Sequence, residues 1–197
     1  MAEAKDSEEL MWVLPDWRGI FPLDAFHVPK SLKKVVRQDR FDVRLNTAFP
    51  QVMRLCASEE AGRTETWIND DILESYEALF RAGHAYSVES WLDNQLVGGL
   101  YGVSVEGAFF GESMFSLATN ASKVALCHLV GRMKMAGYRL LDTQFLTPHL
   151  ARFGGIEVPA DAYRQLLARA LEKPASLADY SSTISGTSIL QSITQTS

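Results

Sequence analysis

The sequence predicts an α+β fold, a sheet with helices packed on it, and three observations carry that reading. Between residues 84 and 116 three stretches of strand character follow one another, separated only by short turns. Helical patterns flank this meander over 69–83 and 121–136, each with apolar residues at helical spacing. The chain has 197 residues, 47% of them apolar and 22% charged, which suffices to bury a sizeable core in one domain, or in a domain with a small annex.

The elements follow in order. Residues 30–38 read as a helix, 41–46 (FDVRLN) as a strand and 48–58 as a helix again, forming a small N-terminal subdomain expected over 1–64. Asn69 offers an N-cap to a helix whose apolar residues Ile72, Leu73, Tyr76, Leu79 and Phe80 recur until Gly83 stops it. The meander comes next: HAYSVESWL, a turn at Asp93-Asn94-Gln95, LVGGLYGVSVE, a turn at Gly107, and AFFGESMFS. Asn120 is placed to cap the helix 121–136, which is apolar nearly all round through Val124, Leu126, Leu129, Val130 and Met133 and is therefore expected to be buried until Gly137 ends it. A strand YRLLDTQ, a short helix near 148–153, a strand GGIEV and a helix over 160–172 complete a catalytic domain placed at 65–173. After Pro174 the composition turns to Ser, Thr, Gln and small apolar residues with one acidic and no basic side chain, so 174–197 reads as a disordered or loosely attached tail.

Composition excludes several classes. No run approaches the roughly 18 consecutive apolar residues of a membrane span, and the opening MAEAKDSEEL lacks the basic-then-apolar pattern of a signal peptide, so a cytoplasmic location is expected. Cys56 and Cys127 lie in apolar helical patterns without ligand spacing, which reads as two reduced core thiols and no metal site. Net charge is −5, yet residues 30–44 hold Lys30, Lys33, Lys34, Arg37, Arg40 and Arg44 against Asp39 and Asp42; six minus two is +4, leaving −9 on the remainder. A basic stripe on an acidic protein can hold a polyanion, and it can equally be a solvated helix face.

The chemistry has few places to sit. Phosphate loops, HExxH and GxSxG are all missing from the sequence. Two places carry polar residues where a sheet would prefer apolar ones. Strand period puts Phe110, Glu112 and Met114 on one face, and it puts Asp142 and Gln144 side by side at the end of a strand. A carboxylate beside an apolar lining is costly unless partnered, which makes both places candidates for function. The plainer alternative is that Asp142 caps the following turn and Glu112 pairs with a lysine such as Lys123.

These blocks resemble those of a known family. Gly111-Glu112-Ser113-Met114-Phe115-Ser116, Asn120-Ala121-Ser122-Lys123, Leu141-Asp142-Thr143-Gln144-Phe145 and His149-Leu150 look like the signature of the leucyl/phenylalanyl-tRNA–protein transferases. So do Thr66-Trp67-Ile68, Gly83 to Glu89, Gly98 to Gly102, and Trp12 to Arg18 followed by Phe21-Pro22-Leu23, in family order from about residue 12 to 172. The resemblance implies a GNAT-like mixed sheet flanked by helices with a small, shortened N-terminal subdomain. It implies an aminoacyltransferase that moves Leu or Phe, sometimes Met, from aminoacyl-tRNA to the N-terminal amine of proteins beginning with Arg or Lys, marking them for the N-end rule degradation route.

Residue by residue, it makes Asp142, Gln144 and Glu112 the catalytic group and sets Leu100, Met114 and Leu126 around the apolar side chain of the donor. Phe110, Gly111 and Ser113 become substrate contacts, Trp12, Trp67 and Tyr76 surround the 3′ adenosine, and Lys30, Lys33, Lys34 and Arg37 face the tRNA. The activated ester supplies the driving force, so no cofactor or metal is expected; a monomer is expected too. Two alternatives stand beside this reading: an inactive binder of tRNA ends or basic N-termini, and an acyl-CoA-dependent N-acyltransferase. The second is disfavoured because the stretch Leu117 to Lys123 has no glycine to hold a pyrophosphate.

Overall fold

The chain runs through β1 (Trp17–Phe21), α1 (Lys30–Arg37), β2 (Asp42–Leu45), α2 (Phe49–Cys56), α3 (Asp70–Arg81), β3 (Ala85–Leu92), β4 (Gln95–Val105), β5 (Ala108–Ser116), α4 (Ala121–Ala136), β6 (Leu140–Gln144), α5 (Pro148–Ala151), β7 (Ile156–Pro159), α6 (Ala160–Leu171) and α7 (Gly186–Thr194). This computed structural model describes residues 15–58 and 68–195. Its seven strands form one mixed sheet in the order β2-β3-β4-β5-β6-β1-β7. Every neighbouring pair is antiparallel except β5 and β6, which are parallel. A parallel pair needs a crossover connection, and α4 supplies it. That explains its largely apolar sequence: α4 is buried from Ala121 through Met133 except at Lys123, between the sheet and the helices α1 and α7.

The sheet keeps the α+β class that the pattern predicts. One face packs against α1, α4 and α7 through Leu32, Val36, Leu126, Leu129 and Ile189. The other carries two separate apolar clusters. One is built by α2 and α3 around Phe49, Met53, Ile72 and Tyr101; the other by α6 around Ile20, Leu140 and Ala170. Buried Glu89 tolerates its place beside α2 because it accepts hydrogen bonds from Ala48 N (2.8 Å), Ser87 Oγ (2.7 Å), Trp91 Nε1 (3.2 Å) and Thr47 Oγ1. A carboxylate at the start of a helix meets exposed N–H groups there.

The structure departs from the sequence reading in four places. First, Trp17 to Phe21 form a strand, β1, inserted between β6 and β7, so the N-terminal segment contributes two strands to the common sheet. Second, Asn120 does not cap α4: it stands in the left-handed region (φ 72°) with no capping bond, and its Oδ1 accepts from Lys123 Nζ at 3.4 Å. Asn69 does cap α3, accepting from Ile72 N at 3.0 Å. Third, the face shared by Phe110, Glu112 and Met114 is broken by a bulge described below.

Fourth, the C-terminal segment is packed. Leu177, Ile189, Leu190 and Ile193 join the core, each burial being worth roughly 1.5–3 kcal/mol against exposure. The Arg132 guanidinium, itself fully buried, donates to Tyr180 O (3.0 Å) and Ser182 O (3.4 Å) and contacts His128 Nδ1 (2.9 Å). The signal for α7 lay in Ile189, Leu190 and Ile193 at helical spacing, hidden by the Ser and Thr around them. Gly186 starts that helix where any Cβ would meet Val36 O at 1.9 Å, and its N–H donates to Asp39 Oδ1 at 2.6 Å.

Candidate active site

The parallel pair β5 and β6 stays in register only over Ala108↔Leu140, Phe109↔Leu141 and Phe110↔Asp142. Beyond that the strands part and leave a cavity of about 390 Å³. Its walls are apolar, with Leu100 from β4, Met114 from β5, Leu126 and Leu129 from α4 and Leu141 from β6. Its polar lining comes from the parted strand ends: Glu112, Ser113, Thr143 and Gln144, with Thr147 and His149 from the following segment.

Two bulges decide which side chains reach this cavity. In β5, Tyr101 pairs with Ser113 while the next residue, Gly102, pairs with Gly111, so Glu112 has no partner opposite it. The extra residue breaks the alternation. Phe110 therefore packs with the α6 cluster while Met114 packs towards α4. In β6 the pairing steps from Ile20↔Asp142 to Gly19↔Gln144, leaving Thr143 as the extra residue, and Gln144 takes a left-handed backbone (φ 59°). The chain then crosses directly over Gly19, where a Cβ would lie 2.6 Å from Phe145 C; only a glycine leaves room. Asp142 and Gln144 consequently do not stand side by side: Gln144 lines the cavity, whereas Asp142 is wholly buried behind the strand, against α6.

Asp142 is held from three directions. Arg18 Nε lies 3.0 Å from each carboxylate oxygen and the terminal nitrogen Nη2 lies 2.9 Å from Oδ2. Tyr163 of α6 donates its hydroxyl to Oδ2. The backbone N–H of Gln144 donates to Oδ1 at 2.7 Å, so Asp142 does cap its own turn, as the plainer alternative has it. Burial works against the charge on Arg18, but its bond to Asp142 and that anion's field carry the guanidinium above its ordinary value. Burial, then the bond to Asp142, also pushes the Tyr163 phenol up, so both donors keep their protons.

Glu112 meets a different environment. Its partner is the Tyr76 hydroxyl, and Lys123 is engaged with Asn120 instead. Burial pushes the Glu112 carboxyl from the carboxylate range up to about 7; the hydrogen bond from Tyr76 opposes this, the charge of Asp142 adds to it and that of Arg18 opposes it. Burial and the charge of Glu112 keep the Tyr76 phenol protonated. Tyr76 also stands edge-on to Tyr101, ring centroids 5.5 Å apart.

Of the residues singled out by sequence, Glu112, Gln144, Leu100, Gly111, Ser113, Met114 and Leu126 meet around the cavity, with Tyr76 bonded to Glu112. Trp12 and Trp67 lie outside the described residues. Lys30, Lys34 and Arg37 are exposed on α1 and Lys33 is half-buried; none of the four enters an ion pair among the described residues. Arg44, by contrast, is spent on Asp42 at 2.6 Å and lies over the Trp91 ring. Sequence reasoning gave no role to Arg18 or Tyr163. Arg18 sits 124 residues from Asp142, and no local pattern links the two.

Among the described residues no group of His, Cys, Asp and Glu is arranged to hold a metal, and no helix is long and apolar enough to cross a membrane. An apolar cavity at the parting of two strands, with a near-neutral carboxyl group and an amide on its wall, fits the class of group-transferring enzymes of α+β fold. The sequence profile of the leucyl/phenylalanyl-tRNA protein transferases matches residues 20–168, and the chain belongs to that family. Among its relatives, the leucyl/phenylalanyl-tRNA–protein transferase of Paramagnetospirillum magneticum is 55% identical over 175 residues, covering 89% of this chain and 84% of that protein. The one from Caulobacter vibrioides strain NA1000 is 50% identical over 197 residues, covering 100% of this chain and 91% of its own. Among solved structures, a functionally unknown conserved protein from Staphylococcus epidermidis overlays with a TM-score of 0.44 at 10% identity, covering 73% of this chain and 57% of that one.

Proposed function

We propose that this protein transfers a leucyl or phenylalanyl group from tRNA to the N-terminal α-amine of an acceptor protein, acting in the cytoplasm on acceptors that begin with Arg or Lys and so marking them for N-end rule degradation. The observation that carries it is the cavity: about 390 Å³ of space, apolar in its depth, with Glu112 and Gln144 on its wall. That volume suits one bulky side chain together with the reacting ester. Unbranched Met114 lets one wall serve both a branched aliphatic and a flat aromatic group.

In the reaction the amine nitrogen bonds to the ester carbon, the bond from that carbon to the ribose oxygen breaks, and one proton passes from nitrogen to oxygen. In this reading Glu112 carries that proton. Its carboxyl lines the cavity, and its position near neutrality lets it accept from the amine and return to the ribose oxygen. Gln144 cannot be a base, but its amide can orient the amine or donate to the oxyanion. Ester and amine need chiefly to be held at contact distance, which asks for no cofactor. The unpaired cations of α1 supply phosphate contacts for the tRNA.

The test uses labelled leucyl-tRNA, or labelled acetyl-CoA as the competing donor, with a peptide beginning with Arg. Label should pass from the tRNA alone. In Glu112→Gln the rate should fall by roughly 10²–10⁴. The wild-type rate should rise with pH through about 7, because the deprotonated form is the acceptor and burial has raised its pKa to there. A Glu112→Gln enzyme with the same rate and the same pH rise would remove Glu112 from the reaction, and transfer from acetyl-CoA alone would overturn the donor class.

A further inference from the structure

Asp142 has no capacity left for a substrate. A carboxylate offers about four acceptor sites, and here they are taken by Arg18 Nε and Nη2, the Gln144 N–H and the Tyr163 hydroxyl. It also does not line the cavity. We propose that Arg18 and Tyr163 are positioning residues for the transfer reaction, acting through Asp142 to hold the backbone of Gln144 in the left-handed turn that delivers its amide to the cavity. The inference rests on the proposed function.

The geometry argues for it step by step. In a regular strand, residues 142 and 144 share a face, so a continued β6 would aim Gln144 at α6 and away from the cavity. The left-handed backbone at Gln144 and the extra residue Thr143 reverse this. A side chain other than glycine holds that conformation only where its surroundings impose it. Here the imposing contact is the 2.7 Å bond from the Gln144 N–H to Asp142 Oδ1. The carboxylate is in turn fixed by two donors from distant elements, Arg18 on β1 and Tyr163 on α6, which also touch each other, the guanidinium lying 5.3 Å from the ring centroid. Neither residue lines the cavity; the charge of Arg18 reaches Glu112, but the hold of both residues on Gln144 runs through Asp142.

Steady-state transfer from leucyl-tRNA tests this in Tyr163→Phe and Arg18→Lys, each alone and combined with Asp142→Asn. Each single change should lower kcat by about tenfold or more while KM for leucyl-tRNA stays within about twofold, because an orienting group is lost and no binding contact is. In the Asp142→Asn background the same changes should cost less than about twofold further, since residues acting through one group are not additive. Full additivity, or a rise in KM at unchanged kcat, would overturn the proposal. An independent readout is the backbone amide resonance of Gln144, which a hydrogen bond to a carboxylate moves downfield. It should return upfield in Tyr163→Phe and in Arg18→Lys, and an unmoved resonance in both would also overturn it. This measurement needs no turnover, so a wild-type protein that transfers to no acceptor would refute the function while leaving the positioning role to be decided by the resonance.

Discussion

The two faces of β6 differ in kind. Towards α4, Leu141 joins Leu100, Met114 and Leu126 around an apolar space; towards α6, Asp142 joins Arg18 and Tyr163 in a closed set of charged hydrogen bonds. Apolar contact is non-directional and scales with area, so altering one side chain changes it by degrees. A buried charged network behaves otherwise. Removing one partner leaves the others desolvated and unpaired, at several kcal/mol by order of magnitude. A single strand thus carries one surface that responds to substitution by degrees and one that does not, and in the proposed reaction substrate preference would belong with the first and the shape of the site with the second.

The largest expected effect comes from breaking the second face. Asp142→Asn keeps the shape but turns an NH2 group towards Arg18 or the Gln144 N–H, and turnover in the leucyl-tRNA assay should fall by a factor on the order of 10². Turnover close to wild type would make the two faces equivalent. A smaller effect is expected on α1, a solvated surface of a third kind. Replacing Lys33 and Lys34 by Glu should slow transfer from intact tRNA by roughly tenfold at physiological salt and lower the salt slope by about one unit per lost phosphate contact. A short aminoacyl-adenosine donor should be spared, and equal damage to both donors would move the tRNA contact elsewhere.

The smallest effect, and the one that sharpens the contrast most, is Met114→Ala on the apolar face. An apolar pocket discriminates by only about 1–3 kcal/mol per methylene. The enlarged space should cost Leu a few-fold more than Phe, which can still fill it. Measured with each charged tRNA at matched concentration, an unchanged Leu-to-Phe ratio would show that Met114 does not set the preference.

Much of this was legible in the sequence wherever the cause is local. The meander, the buried α4 and the Asn69 cap follow from periodicity and side-chain chemistry within a few residues. The apolar cavity residues were found by resemblance, and the structure brings Leu100, Met114 and Leu126 together. What escaped depends on distant chain. Trp17-Arg18-Gly19-Ile20-Phe21 is too short and mixed to announce a strand, and becomes one because β6 and β7 offer it edges. The bulges at Glu112 and Thr143 overturn a strict period of two, and only cross-strand register reveals them. The partner of Glu112 is a tyrosine on the distant helix α3, which no reading of charge alone would choose.

The placement of β1 has a consequence for how the protein comes into being. Ribosomal synthesis delivers β1 first, yet both strands that flank it, β6 and β7, are made in the last third of the chain. Such long-range pairing forms slowly, because a large loop must close before any contact rewards it. The nascent chain can build its meander and lay α4 across it while Trp17 to Phe21 still have no place in a sheet. Arg18 can reach Asp142 only once β1 has joined β6, so the closed set of hydrogen bonds around that carboxylate is completed late, after the meander and α4 have been made.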